Sequence, residues 1–182
     1  PFNQENIGGV VRLVRLVLKV TFIFEGVGAL LLALGFFATG MPFGQALYYG
    51  VFHSISAFCN AGFDILGATS LMPYQTNLYF NIIIMALIVC GGLGFTVWGD
   101  LLSRPKRPKG RRRPLWLRVA HLSLHAEMAL VFTGVLLVLG TGCFLLFEWG
   151  NPETLGPLNG PQKVLAALFQ SVTLRTAGYY TI

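Results

Sequence analysis

The chain has 182 residues, of which 54% are hydrophobic and only 11% charged; an average soluble domain carries about 25% charge. With a mean hydropathy of +0.67, so much apolar surface is beyond what a soluble core of this size can hide, and the composition indicates an integral membrane protein. The net charge of +6 is confined to a few stretches rather than spread for nucleic acid, and the three cysteines lack metal or disulfide spacing.

A polar lead of nine residues precedes the first apolar segment. Residues 10–38 carry Arg12, Arg15 and Lys19 at their start and then run uncharged except for Glu25. This exceeds the roughly 20 residues a spanning helix needs and predicts a first span. Thr39-Gly40-Met41-Pro42 is a turn. Residues 43–58 read as a second apolar helix, about 24 Å long at ~1.5 Å per residue, short of a ~30 Å hydrocarbon core. It leads into a polar loop, 59–63, and residues 64–77 form a Pro-containing connection. Residues 78–102 predict a full second span containing Gly91-Gly92-Leu93-Gly94. Eight basic residues then crowd into 104–118. A further span is expected at 126–147, a Pro/Gly/Asn-rich connection over 148–162, a short helix over 163–172 and a loop over 173–179.

The two short helices and their loops are copies of one pattern. Phe52-His53-Ser54-Ile55-Ser56 corresponds to Phe169-Gln170-Ser171-Val172-Thr173, and Asn60-Ala61-Gly62-Phe63 to Thr176-Ala177-Gly178-Tyr179. Charge distribution decides what the short helices do. Lysine and arginine collect in cytoplasmic loops. If residues 43–60 dip into the membrane and return, eleven of the 13 basic residues lie on one side, leaving only Lys163 and Arg175 elsewhere. If they cross, the polybasic loop falls on the opposite side from Arg12, Arg15 and Lys19. The expected unit is therefore span, half-helix, loop, span: one full repeat over 1–103, a basic cytoplasmic loop over 104–118 and a partial repeat over 119–182. The chain's abrupt end after the second loop suggests a fragment.

Non-helical backbone at membrane depth is tolerated only inside protein or beside a water-filled cavity. There its carbonyls can replace an ion's hydration shell, and the negative end of the preceding half-helix favours a cation. The fold expected is thus an all-α integral membrane protein with a potassium-channel-like pore. The candidate ion-binding backbone is Cys59, Asn60, Ala61 and Gly62 with Arg175, Thr176, Ala177 and Gly178. Their side chains are expected to matter less than their carbonyls. Asp64 would add negative charge at the mouth, and Arg175 is expected to point behind the loop toward an acidic or carbonyl partner.

The segments from Phe52 to Asp64, Gly91-Gly92-Leu93-Gly94-Phe95 through Gly99-Asp100-Leu101, and Arg175-Thr176-Ala177-Gly178-Tyr179 resemble the Trk/Ktr/HKT superfamily of potassium transporters, most nearly the membrane subunit of Ktr systems. The resemblance implies four such repeats around one pore, with Gly62 and Gly178 as filter glycines of the second and third. It also implies a homodimer in the plasma membrane, a cytoplasmic nucleotide-binding regulatory ring and potassium as the permeating ion. Sodium dependence is part of the same resemblance and is demonstrated by no residue. No cofactor, resident metal or nucleic-acid partner is expected. Two other functions compete: a non-conducting membrane anchor, and a membrane-embedded hydrolase built on His121, His125 and Glu127, which lacks a nucleophile or third ligand. Glu25 is read as a structural partner behind the half-helix, and the Gly91–Gly94 cluster as close helix packing or a hinge.

Overall fold

The computed structural model describes residues 2–67, 69–102 and 123–182. The basic stretch 104–118 and His121 lie outside the described residues. Among those described, helices are the only regular elements.

Helix α1 (Phe2–Ala38) includes a 30-residue apolar stretch, Gly9–Ala38, long enough to cross a bilayer. It ends in a Schellman motif: Gly40 takes a left-handed φ of +92°, Gly40 N–H donates to Phe37 O at 3.0 Å and Met41 N–H to Phe36 O at 3.3 Å. Pro42 then blocks continuation and starts α2 (Phe43–Phe58).

Helix α2 folds straight back along α1. A Cβ placed on Gly50 would lie 2.6 Å from Ala33 N and 2.7 Å from Ala29 O, so only glycine lets the two backbones meet. Further along, Ser54 Oγ donates to Glu25 O at 2.8 Å, and Phe58 stacks on Phe24 with ring centroids 5.7 Å apart. The descent of α2 stops there, level with Glu25, partway along the apolar stretch of α1.

The chain then climbs back. Tyr74, in a single 3₁₀ turn (Met72–Tyr74), and Phe80, at the start of α3 (Leu78–Gly92), both pack on Phe36, near the end of α1 that α2 left. Asn77 caps α3 by accepting from Tyr79 N–H and Phe80 N–H, and the Asn81 amide donates to three carbonyls of the connection. Helix α3 runs down α1 in the same direction as α2: Tyr79 OH donates to Leu31 O at 2.8 Å, and Leu87 lies beside Gly28. Two helices in sequence that descend from one level require a return between them, and residues 59–77 are that return.

The continuous helix expected over 78–102 is instead two. Helix α4 (Phe95–Leu102) leaves α3 at 91°. Gly94 supplies the corner with φ +85°, and the Trp98 indole N–H donates to Cys90 O at 2.9 Å across the break. Within this glycine cluster the two expected roles are divided. A Cβ on Gly91 would lie 1.8 Å from Phe58 O, whereas nothing among the described residues lies within 4 Å of one on Gly94.

The second half repeats the arrangement. Helix α5 (Leu124–Glu148), among the described residues the other single helix long and apolar enough to cross a membrane, starts at Ser123, whose Oγ accepts from Ala126 N–H and donates to the Asp100 carboxylate of α4. A turn held by Glu148, which accepts from Asn151 Nδ2 and Thr154 Oγ1, leads to α6 (Gly160–Thr173). Helix α6 starts three residues earlier than expected because Pro161 opens its first turn and Gln162 Oε1 accepts from Asn159 N–H. Lys163 Nζ donates to Trp149 O near one end of α6, and Ser171 Oγ to Leu137 O near the other, so α6 runs antiparallel to α5. One core joins the halves, with Phe36, Phe80 and Ile84 buried together with Phe169, Val172 and Tyr179.

Candidate functional site: two facing glycine loops

Each half-helix is fastened to its span by the same device. Ser54 Oγ donates to Glu25 O, and a Cβ on Gly28, three residues on, would meet that Oγ at 2.5 Å. Ser171 Oγ donates to Leu137 O at 3.0 Å, and a Cβ on Gly140, again three residues on, would meet that Oγ at 2.4 Å. The glycine opens room for a serine whose hydroxyl then bonds a helix carbonyl, a pattern suited to packing without water. Sequence reading singled out the two serines and missed their glycines. Gly28 lies 26 residues before Ser54 and Gly140 lies 31 before Ser171; the longer turn in the second half hides the correspondence. Ser171→Ala is expected to lower stability by about 0.6–1.7 kcal/mol, seen as a lower unfolding midpoint of the full-length protein in detergent; an unchanged midpoint would show the bond to be idle.

Below this fastening the half-helices end and the backbone turns. At the end of α2, Asn60 N–H donates to Ala57 O at 3.1 Å and Ala61 N–H to Ser56 O at 2.9 Å, with Asn60 left-handed at φ +54°. At the end of α6, Thr173 O collects the N–H groups of Thr176, Ala177 and Gly178 at 2.9–3.2 Å. In a trans peptide the N–H and the preceding C=O point in opposite directions. Amides turned back onto the helix therefore aim the carbonyls of Cys59, Asn60, Arg175, Thr176 and Ala177 away from it. Among the described residues, no hydrogen bond reaches any carbonyl from Cys59 to Gly62 or from Leu174 to Gly178. Cys59, Ala61, Leu174, Thr176 and Gly178 are exposed in this chain, so these oxygens stand open on the faces of the two loops.

The glycines close both turns, Gly62 at φ +70° and Gly178 at φ +87°. The two loops then face each other. A Cβ on Gly62 would fall 1.8 Å from Ala177 O. Thr176 Oγ1 donates to Asn60 Oδ1 at 2.6 Å, Tyr179 OH to Phe63 O at 3.0 Å and Leu71 N–H to Tyr180 O at 3.2 Å. All eight sequence-derived site residues thus lie in two adjacent loops. The side chains of Asn60 and Thr176 add a role of their own, because they bond one loop to the other. Nothing in the sequence announces this pair, because 116 positions separate the partners.

Three other side chains singled out in the sequence have definite partners here. Arg175 does point behind its loop, but to a hydroxyl, with Nη2 donating to Thr133 Oγ1 of α5 at 3.2 Å. Glu25 stands at the foot of α2, where its carboxylate accepts from Cys59 Sγ at 3.5 Å and its carbonyl from Ser54. Asp64 Oδ1 caps the outgoing loop by accepting from Leu66 N–H at 3.2 Å. Among the described residues no three His, Cys, Asp or Glu side chains gather as metal ligands.

Comparison with known proteins adds an independent finding. The family model described as "TrkH: Cation transport protein" matches residues 3–182. The chain is 38% identical over 180 residues to the potassium/sodium uptake protein NtpJ of Enterococcus hirae, covering 99% of this chain and 37% of that protein. It is 34% identical over 181 residues to Ktr system potassium uptake protein B of Vibrio alginolyticus and 35% over 180 residues to that of Bacillus subtilis, again covering 99% of this chain and 37% of each relative. The chain therefore spans well under half the length of the curated relatives it matches.

Proposed function

The chain belongs to the TrkH family of cation transport proteins, and on that premise we propose that it forms part of the pore subunit of a potassium uptake transporter. The single observation that carries the proposal is the pair of facing loops whose carbonyls accept no hydrogen bond among the described residues. Potassium sheds water most readily where peptide oxygens already stand free to replace it. The C-terminal end of each half-helix adds partial negative charge at the same place. In this reading Cys59, Asn60, Ala61 and Gly62 supply one part of the selectivity filter, and Arg175, Thr176, Ala177 and Gly178 a second part. Potassium enters down the membrane potential. The names of the relatives support potassium as the cargo, and the name of the Enterococcus protein brings in sodium.

Two loops enclose an ion incompletely, so the remaining ligands come from further repeats of the full-length protein. The protein is placed in the plasma membrane as a homodimer, with the basic stretch 104–118 on the cytoplasmic side, where a nucleotide-binding regulatory ring docks. The Ktr system named in two of the relatives supports a transporter of more than one kind of subunit. The rival is a membrane anchor that conducts nothing. Full-length protein reconstituted into liposomes separates them: an imposed inside-negative potential drives potassium inward through a conductor. Correctly inserted protein with no flux above empty liposomes would favour the anchor.

A further inference from the structure

We propose that Tyr179 is a positioning residue whose hydroxyl straps the two loops together and sets how strictly they prefer potassium to sodium; this deepens the reading above and rests on it. The Phe63 carbonyl, one residue beyond Gly62, accepts two hydrogen bonds. One comes from its own half-helix, Ser56 Oγ at 2.6 Å, and the other from the opposite loop, Tyr179 OH at 3.0 Å. A carbonyl oxygen has two lone pairs, so Phe63 O is fully engaged while the four carbonyls before it stay free. The boundary between ion-facing and protein-facing backbone therefore falls between Gly62 and Phe63.

Tyr179 holds that boundary from a fixed place. Its side chain is 1% exposed and sits in the shared core with Phe169 and Val172. The ring is thus anchored to one loop and its hydroxyl to the other. Gly62 lies against Ala177 O, two residues from Tyr179, so any drift of the strap changes the separation of the facing carbonyls. Potassium-over-sodium preference depends on the size of the oxygen cage that replaces the ion's water or on the number and field strength of its carbonyls, and drift of the strap alters both.

Only the hydroxyl needs to be removed. The test compares wild type, Tyr179→Phe, Ser56→Ala and the double variant in full-length protein reconstituted into liposomes, reading the KM for potassium and for sodium in each. Tyr79→Phe is the control, because it deletes a tyrosine hydroxyl bonded to Leu31 O, away from the loops. The proposal expects Tyr179→Phe to reduce the preference for potassium by about three- to tenfold, the worth of one hydrogen bond. Ser56→Ala, which strips the other donor from the same carbonyl, shifts it in the same direction and less than additively with Tyr179→Phe. The control leaves it unaltered. Potassium uptake with an unshifted preference in Tyr179→Phe and Ser56→Ala overturns the strap alone. Wild-type protein that carries no potassium overturns the cation-path reading, and the strap with it.

Discussion

Gly62→Ser in the full-length protein is expected to cut potassium uptake by at least about tenfold and to erode the preference over sodium, with normal insertion in the membrane. Two independent costs meet at this position. The backbone is left-handed, φ +70°, where an L residue other than glycine stores about 1–3 kcal/mol of strain, and about 1.4 kcal/mol is already a factor of ten. Beyond strain, a Cβ would come within 1.8 Å of Ala177 O. That oxygen is backbone and cannot rotate away as a side chain would. It is also one of the uncommitted carbonyls, so the clash displaces the very atom proposed to bind the ion. At Gly178 the backbone is also left-handed, φ +87°, but nothing among the described residues lies within 4 Å of a Cβ. Gly178→Ser therefore acts through backbone strain. Parallel flux and surface-abundance measurements check both; wild-type uptake and preference in Gly62→Ser would refute the assignment.

The second large effect is expected where it looks least important, at adjacent glycines near the end of α3. A Cβ on Gly91 would sit 1.8 Å from Phe58 O and 2.8 Å from Phe58 C, whereas among the described residues one on Gly92 meets nothing nearer than Asn60 Nδ2 at 3.9 Å. Gly91→Ala must push α3 away from the end of α2, the segment that leads directly into Cys59. Overpacking of this kind costs about 1–3 kcal/mol. Gly92→Ala makes only an ordinary contact, and it gains from alanine's better helix propensity. The unfolding midpoint should fall clearly for Gly91→Ala and hold or rise for Gly92→Ala, with uptake lost only in the former. Equal midpoints for the two would contradict the packing described.

What could be read before any coordinates depended on repetition and on charge. The half-helix and glycine loop occur twice, and the expectation that eleven basic residues share one side led to a turn back over residues 43–60. What the structure shows is the turn itself: α2 descends along α1, and the chain is back at the level of Phe36 before α3 begins. The elbow at Gly94 was only partly legible: the glycine cluster offered a hinge as one of two readings, but residues 78–102 still read as one continuous span. Residues 78–102 are mostly apolar, and hydropathy measures the solvent a segment prefers, not the direction it takes. The corner depends on one left-handed glycine and on Trp98 reaching back to Cys90 O, neither of which has a periodic signature. The inter-loop bonds escaped for a different reason. Asn60 with Thr176, and Phe63 with Tyr179, are each 116 positions apart, and only the folded pair of half-helices brings them within reach.

The most direct test uses rubidium, which takes potassium's place among carbonyl oxygens and scatters anomalously. Crystals of the full-length protein grown in rubidium are expected to show an anomalous peak bounded by the carbonyls around Gly62 and Gly178. Peaks elsewhere in the membrane region, with none between these two loops, would contradict the claim that the loops coordinate the permeating ion.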